Sequence, residues 1–143
     1  MNIPELSVDY TKRNEGVALK PYRCKAGKLT IGIGRNLEDK GLSVSEIEIL
    51  YHNDLIDAVT DLKRIFCDWD ALTEPQKVVL VDMRFHMGPG GFRSFKNMLN
   101  AINSGQLDVV PAHILDSKYA RVDTPERAML NAQTWERDAV CRA

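Results

Sequence analysis

Glu15 is the first residue whose position invites chemistry. It closes a short segment of helical character and is followed by Gly16; Cys24 comes nine residues later and Thr30 six after that. A hairpin folding back beside the helix end can bring these three side chains to one cleft. Cleaving a glycosidic bond requires a protonated carboxyl to donate to the leaving oxygen. It also requires a group on the other ring face to supply water or a nucleophile. Glu15 suits the first role if burial raises its pKa toward neutrality, and Thr30 can hold a water. Spacing alone does not select this set, because a chain of 143 residues offers many Glu/Cys/Thr triples. On the plainer reading, Glu15 is a surface carboxylate at a helix end, Cys24 a half-buried strand thiol and Thr30 a residue suited to a strand.

The elements that must position these residues follow from pattern. Residues 4–14 read as a short helix ending before Gly16. From Pro21 to Gly34, β-branched residues, alternation and the polar turn Lys25-Ala26-Gly27-Lys28 predict a small hairpin. A lone two-stranded hairpin is marginal in water, so it must lean on helices. Ser43-Val44-Ser45-Glu46 has capping-box spacing. Ile47, Leu50, Tyr51, Leu55, Ala58, Leu62 and Phe66 then recur at helical spacing. This predicts a helix of roughly 22 residues, about 33 Å long, enough to connect two lobes. Thr73-Glu74-Pro75-Gln76 opens a further helix, nearly continuous in apolar residues until Gly88-Pro89-Gly90-Gly91 breaks it. Helices are expected at 92–103, 107–116, 125–132 and 134–141, with Thr124-Pro125 as another start.

The predicted fold is α+β and predominantly helical. One domain spans 1–143: a small lobe of about 14–55 carries the hairpin, and a long helix joins it to a helical lobe of about 56–143 that includes helix 4–13. The active-site cleft is expected between the lobes.

Composition agrees with a globular chain. Apolar residues are 44 % and charged residues 27 %, and about two-thirds of the unfolded surface of such a chain is buried on folding. Cys24, Cys67 and Cys141 show no metal or disulfide spacing, which predicts reduced, structural roles for Cys67 and Cys141. His52, His86 and His113 likewise lack metal spacing. The start Met1-Asn2-Ile3-Pro4-Glu5 predicts no signal peptide, and no apolar run reaches the ~18 residues of a membrane span. The net charge of −1 conceals basic ends around an acidic middle, which either focus a polyanionic ligand or are solvated helix faces. The acidic middle and the absence of a basic helix argue against nucleic acid.

A resemblance adds what spacing cannot. Glu15-Gly16, the eight residues before Cys24, the five before Thr30, and Thr30-Ile31-Gly32-Ile33-Gly34 closely resemble the signature of the phage-type lysozymes of glycoside hydrolase family 24, the T4-type lysozymes. The likeness continues through Asp82-Met83-Arg84-Phe85-His86-Met87-Gly88, Ser94-Phe95-Lys96-Asn97, Ser117-Lys118-Tyr119 and Thr124-Pro125-Glu126-Arg127-Ala128. It covers nearly the whole chain, with a shorter segment between Gly34 and Ser43. The resemblance implies Glu15 as proton donor, Thr30 as the group that places the attacking water, and Arg127 near Glu15. Phe85 would line the saccharide site, and Gly34 permits close backbone approach, to a neighbouring segment or to a sugar. The substrate implied is the β-1,4 bond between N-acetylmuramic acid and N-acetylglucosamine in peptidoglycan, with no metal or cofactor.

Four positions depart from the family pattern. Cys24 replaces the second carboxylate of many members; a free thiol, with a pKa of about 8.5, is a poorer base at neutral pH, so inversion and retention both stay open. Arg35 stands where His is usual and is expected to pair with Asp54. His113 occupies the place of a substrate-contacting amide, and Met98 that of a small hydroxyl. The rival to an endolysin is a module that holds peptidoglycan without cutting it; a chitin-type glycosidase is a further alternative. The expected setting is a monomer that accumulates in the host cytoplasm, without stable membrane association, and reaches the wall once a holin permeabilises the membrane.

Overall fold

A computed structural model describes residues 2–137. It divides into two compact units, the first ending at Leu50 and the second beginning at Tyr51.

The first unit opens with helix α1 (Ser7–Glu15), which ends because Gly16 takes a φ of 73° while its N–H still bonds to the Lys12 carbonyl at 2.9 Å. Strands β1 (Ala18–Arg23), β2 (Leu29–Gly32) and β3 (Arg35–Asn36) form an antiparallel sheet in the order β1-β2-β3. Tyr22 faces Thr30 across the first pair and Asn36 faces Thr30 across the second, so Thr30 sits on the central strand. The β1–β2 turn is closed by Gly27 N–H to the Cys24 carbonyl at 2.8 Å and Cys24 N–H to the Lys28 carbonyl at 3.0 Å. The expected hairpin is present. β3 is an addition: two residues are too short for alternation to show in sequence.

Helix α2 (Val44–Ile65) has the expected 22 residues, and the boundary between the units falls within it. Ser43 Oγ accepts from the Glu46 N–H at 3.2 Å, as the capping spacing predicts. The same Glu46 carboxylate takes the Arg35 guanidinium. This corrects the expected Arg35–Asp54 pair: Asp54 lies eight residues, about 12 Å, further along the helix, whereas Glu46 is in its first turn.

The second unit is helical, with α3 (Glu74–Arg93), α4 (Lys96–Asn103), α5 (Val110–Leu115) and α6 (Pro125–Trp135). Thr73 and Gln76 form the expected capping box at the start of α3. Gly88 kinks that helix at φ 73°, and a further helical turn follows instead of the full break expected. Asp61 on α2 holds both sides of the kink: it accepts from Arg84 Nε at 2.7 Å and pairs with the Arg93 guanidinium. Leu62, Leu80, Met83, Phe92, Ile114 and Trp135 belong to one buried core, where Phe66 meets Phe92 edge-to-face at 6.3 Å. The Trp135 indole donates to the Leu107 carbonyl at 2.9 Å. The separate helices expected over 125–132 and 134–141 are one helix through Trp135. Residues 138–143, with Cys141, lie outside the described residues.

Candidate active site

Each unit holds one group of the predicted site residues. In the first, the last residue of α1 meets the loop that joins β2 to β3. The Glu15 carboxylate lies directly against Gly34: a Cβ built there would stand 2.7 Å from Oε2 and 2.9 Å from Cδ. Gly34 has a φ of 68°, a conformation natural only to glycine. The close approach foreseen for Gly34 is therefore to Glu15. Glu15 itself is exposed, not buried as the sequence reading expected.

Cys24 and Thr30 meet at the other end of the hairpin. Thr30 is buried, and its hydroxyl donates to the Lys28 carbonyl at 2.9 Å. The backbone amides of Lys28 and Ala26 face the half-buried Cys24 thiol, and with the Thr30 hydroxyl beside it they hold its pKa below the ordinary thiol range, outweighing partial desolvation. Cys67, read as structural, is exposed at the end of α2.

In the second unit, Asp82 on α3 grips Arg127 on α6 through two parallel bonds, Nε at 2.8 Å and Nη2 at 2.5 Å, the strong bidentate form of such a pair. The Arg127 guanidinium holds the Asp82 carboxyl below the usual range, helped by the Asn131 amide at 2.9 Å. Arg127 Nη1 also lies 3.1 Å from His86 Nδ1. Asp82 and His86 stand one helical turn apart, which places both beside one side chain on the facing helix. The family resemblance marked that stretch of α3 but not Asp82 as the partner of Arg127, 45 residues away. Phe85 is partly exposed and stacks edge-to-face on Tyr51 at 5.6 Å.

His113 and Met98 converge on an open cavity of about 660 Å3 in this unit, with Phe95, Lys96, Lys118 and Tyr119 also in its walls. Burial pushes the Tyr119 hydroxyl up in pKa, and it accepts from Asn131 at 2.9 Å. Tyr119 opens a π-helical turn to Asp123 that the sequence pattern did not reveal.

A helix ending against a three-stranded sheet, a long second helix and a helical unit with its own core make this an α+β chain of the lysozyme-like class. Residues 12–132 match the model of the phage lysozyme family, and the chain belongs to that family. It is also similar to the pre-baseplate central spike protein Gp5 of Enterobacteria phage T4, at 27% identity over 131 residues. That match takes in 71% of this chain and 23% of the relative, so the chain spans less than a quarter of the relative's length.

Proposed function

We propose that this protein is an endolysin-type muramidase. It hydrolyses the β-1,4 bond between N-acetylmuramic acid and N-acetylglucosamine in bacterial peptidoglycan, for host-cell lysis and phage release. Family membership supports the substrate class, and the seating of Glu15 on Gly34 carries the catalytic assignment. Glu15 donates its proton to the glycosidic oxygen as that bond breaks. Thr30, whose hydroxyl proton is held by the Lys28 carbonyl, orients through its oxygen the water that attacks the anomeric carbon. Cys24 stands in place of a second carboxylate, and the amides that favour its thiolate suit it to take the proton of that water. The cavity bearing His113 and Met98, with Phe85 and Arg127, receives the saccharide.

Reducing-end release from purified peptidoglycan tests this reading, with product masses identified. Glu15→Gln should lower release by about 100- to 10,000-fold, the usual range for loss of a general acid. A second reading, a module that holds the glycan uncut, draws on the missing carboxylate at Cys24. Glycan pull-down by the wild-type protein without product would establish it and remove the roles given to Glu15, Cys24 and Thr30. Dependence on a holin is a separate proposal. Cytoplasmic expression alone should leave cells intact until a permeabilising agent is added, and lysis without the agent would refute it.

A further inference from the structure

The geometry points to Gly34 as a positioning residue for the general acid: the space a side chain would fill at Gly34 is the seat of the Glu15 carboxylate. This inference rests on the muramidase reading for its effect on turnover, but not for the placement itself. Two independent constraints fix the walls of the seat. On one side, Glu15 is the last residue of α1, ended by Gly16. On the other, the β2–β3 loop is pinned by the Ile31–Arg35 strand pair and by the Arg35–Glu46 ion pair one residue beyond Gly34. A methyl group at position 34 would stand 2.7 Å from Glu15 Oε2, 2.9 Å from Cδ and 3.2 Å from Cγ, well inside the ~3.5–4.0 Å of a favourable carbon contact. The obstructing atoms are the far end of a flexible, exposed side chain. The added methyl therefore displaces the carboxylate, over and above the backbone strain that any side chain meets at this φ. A proton donor moved by about 1 Å loses on the order of 100-fold in rate.

Gly41 provides the matched control. Its φ of 66° strains an alanine as Gly34 does, yet the nearest atom to a methyl placed there is the Leu37 carbonyl oxygen at 4.0 Å. Gly34→Ala and Gly41→Ala should melt within a few degrees of each other. Gly41→Ala should keep turnover within threefold of wild type, whereas Gly34→Ala should lose about 100-fold in kcat with KM within twofold. The 13C resonance of the Glu15 carboxyl should move in Gly34→Ala and stay put in Gly41→Ala. In the unsubstituted protein, a nuclear Overhauser contact should join the Gly34 α-protons to the Glu15 γ-protons, a readout that needs no variant to fold. Equal losses in the two variants, an unmoved Glu15 resonance or a missing Overhauser contact would overturn the inference. If the wild-type protein releases no product, the muramidase reading falls, while the resonance and the Overhauser contact still decide the placement.

Discussion

Among residues 2–50 only Thr30 is buried, whereas residues 51–137 hold a continuous core reaching from Leu62 to Trp135. The first unit is shaped by strand pairing, glycine turns and surface ion pairs. The second is shaped by close packing of apolar side chains. Damage should therefore read out differently in each: substitutions in the helical unit act on stability, and substitutions around Glu15 act on turnover.

The comparison breaks most visibly in the core. Phe92→Ala removes a fully buried ring and should cost about 3–5 kcal/mol, measured by urea unfolding. Leu19→Ala, in a strand where that side chain is 91% exposed, should stay within about 0.5 kcal/mol. A comparable loss at both sites would erase the distinction.

Asp61 gives a smaller, pH-resolved effect. Bonds from Arg93 and Arg84 lower its pKa from 3.8 to about 2 against the pull of desolvation. A carboxylate depressed in the folded state adds stability that is complete above its unfolded pKa and disappears as pH falls through the folded value. The loss should thus lie between about pH 4 and pH 2. The shift corresponds to about 2 kcal/mol, and solvent around the half-exposed Arg93 reduces it to about 1 kcal/mol. Asp61→Asn should flatten the stability profile across that window; an unchanged slope would remove Asp61 from the account.

Cys24 sharpens the other side. If its thiolate is the base, product release rises with pH through a thiol pKa held low by the Lys28 and Ala26 amides. Cys24→Ser should remove that rising limb and lower turnover by about tenfold, with little change in melting. A serine variant that keeps the limb would assign it to another group. The smallest effect belongs to the surface network of Arg23, Lys28, Glu38 and Asp39, whose side chains are 41% or more exposed. Glu38→Gln should cost under about 1 kcal/mol, and the difference should fade in molar salt.

Helix starts were the most legible features, because caps are local chemistry: Thr73 with Gln76 and Ser43 with Glu46 begin helices through the expected bonds, and α6 starts at Pro125 as expected although the Thr124 side chain makes no cap bond. Alternation, β-branched residues and the Lys25-Ala26-Gly27-Lys28 turn located the hairpin. That pattern did not reveal that Gly34 seats the carboxylate, since this depends on where the helix end meets the loop. Partners of charged residues were the least legible. Arg35 pairs with Glu46 and not Asp54, and Arg127 with Asp82 across 45 residues; which carboxylate comes within reach of a long side chain is set by tertiary placement, for which the sequence carries no signal. β3 and the π-helical turn at Tyr119 were too short for periodicity to reveal.

Both tryptophans, Trp69 and Trp135, are buried in the helical unit. Indole fluorescence therefore watches one unit only and is blind to the segment that carries Glu15. A melting curve recorded by that signal would look complete and cooperative even if the first unit had opened earlier. Far-ultraviolet circular dichroism, or exchange of the β2 amides, would supply the missing half, and coincident midpoints from the two probes would mark the chain as a single cooperative system.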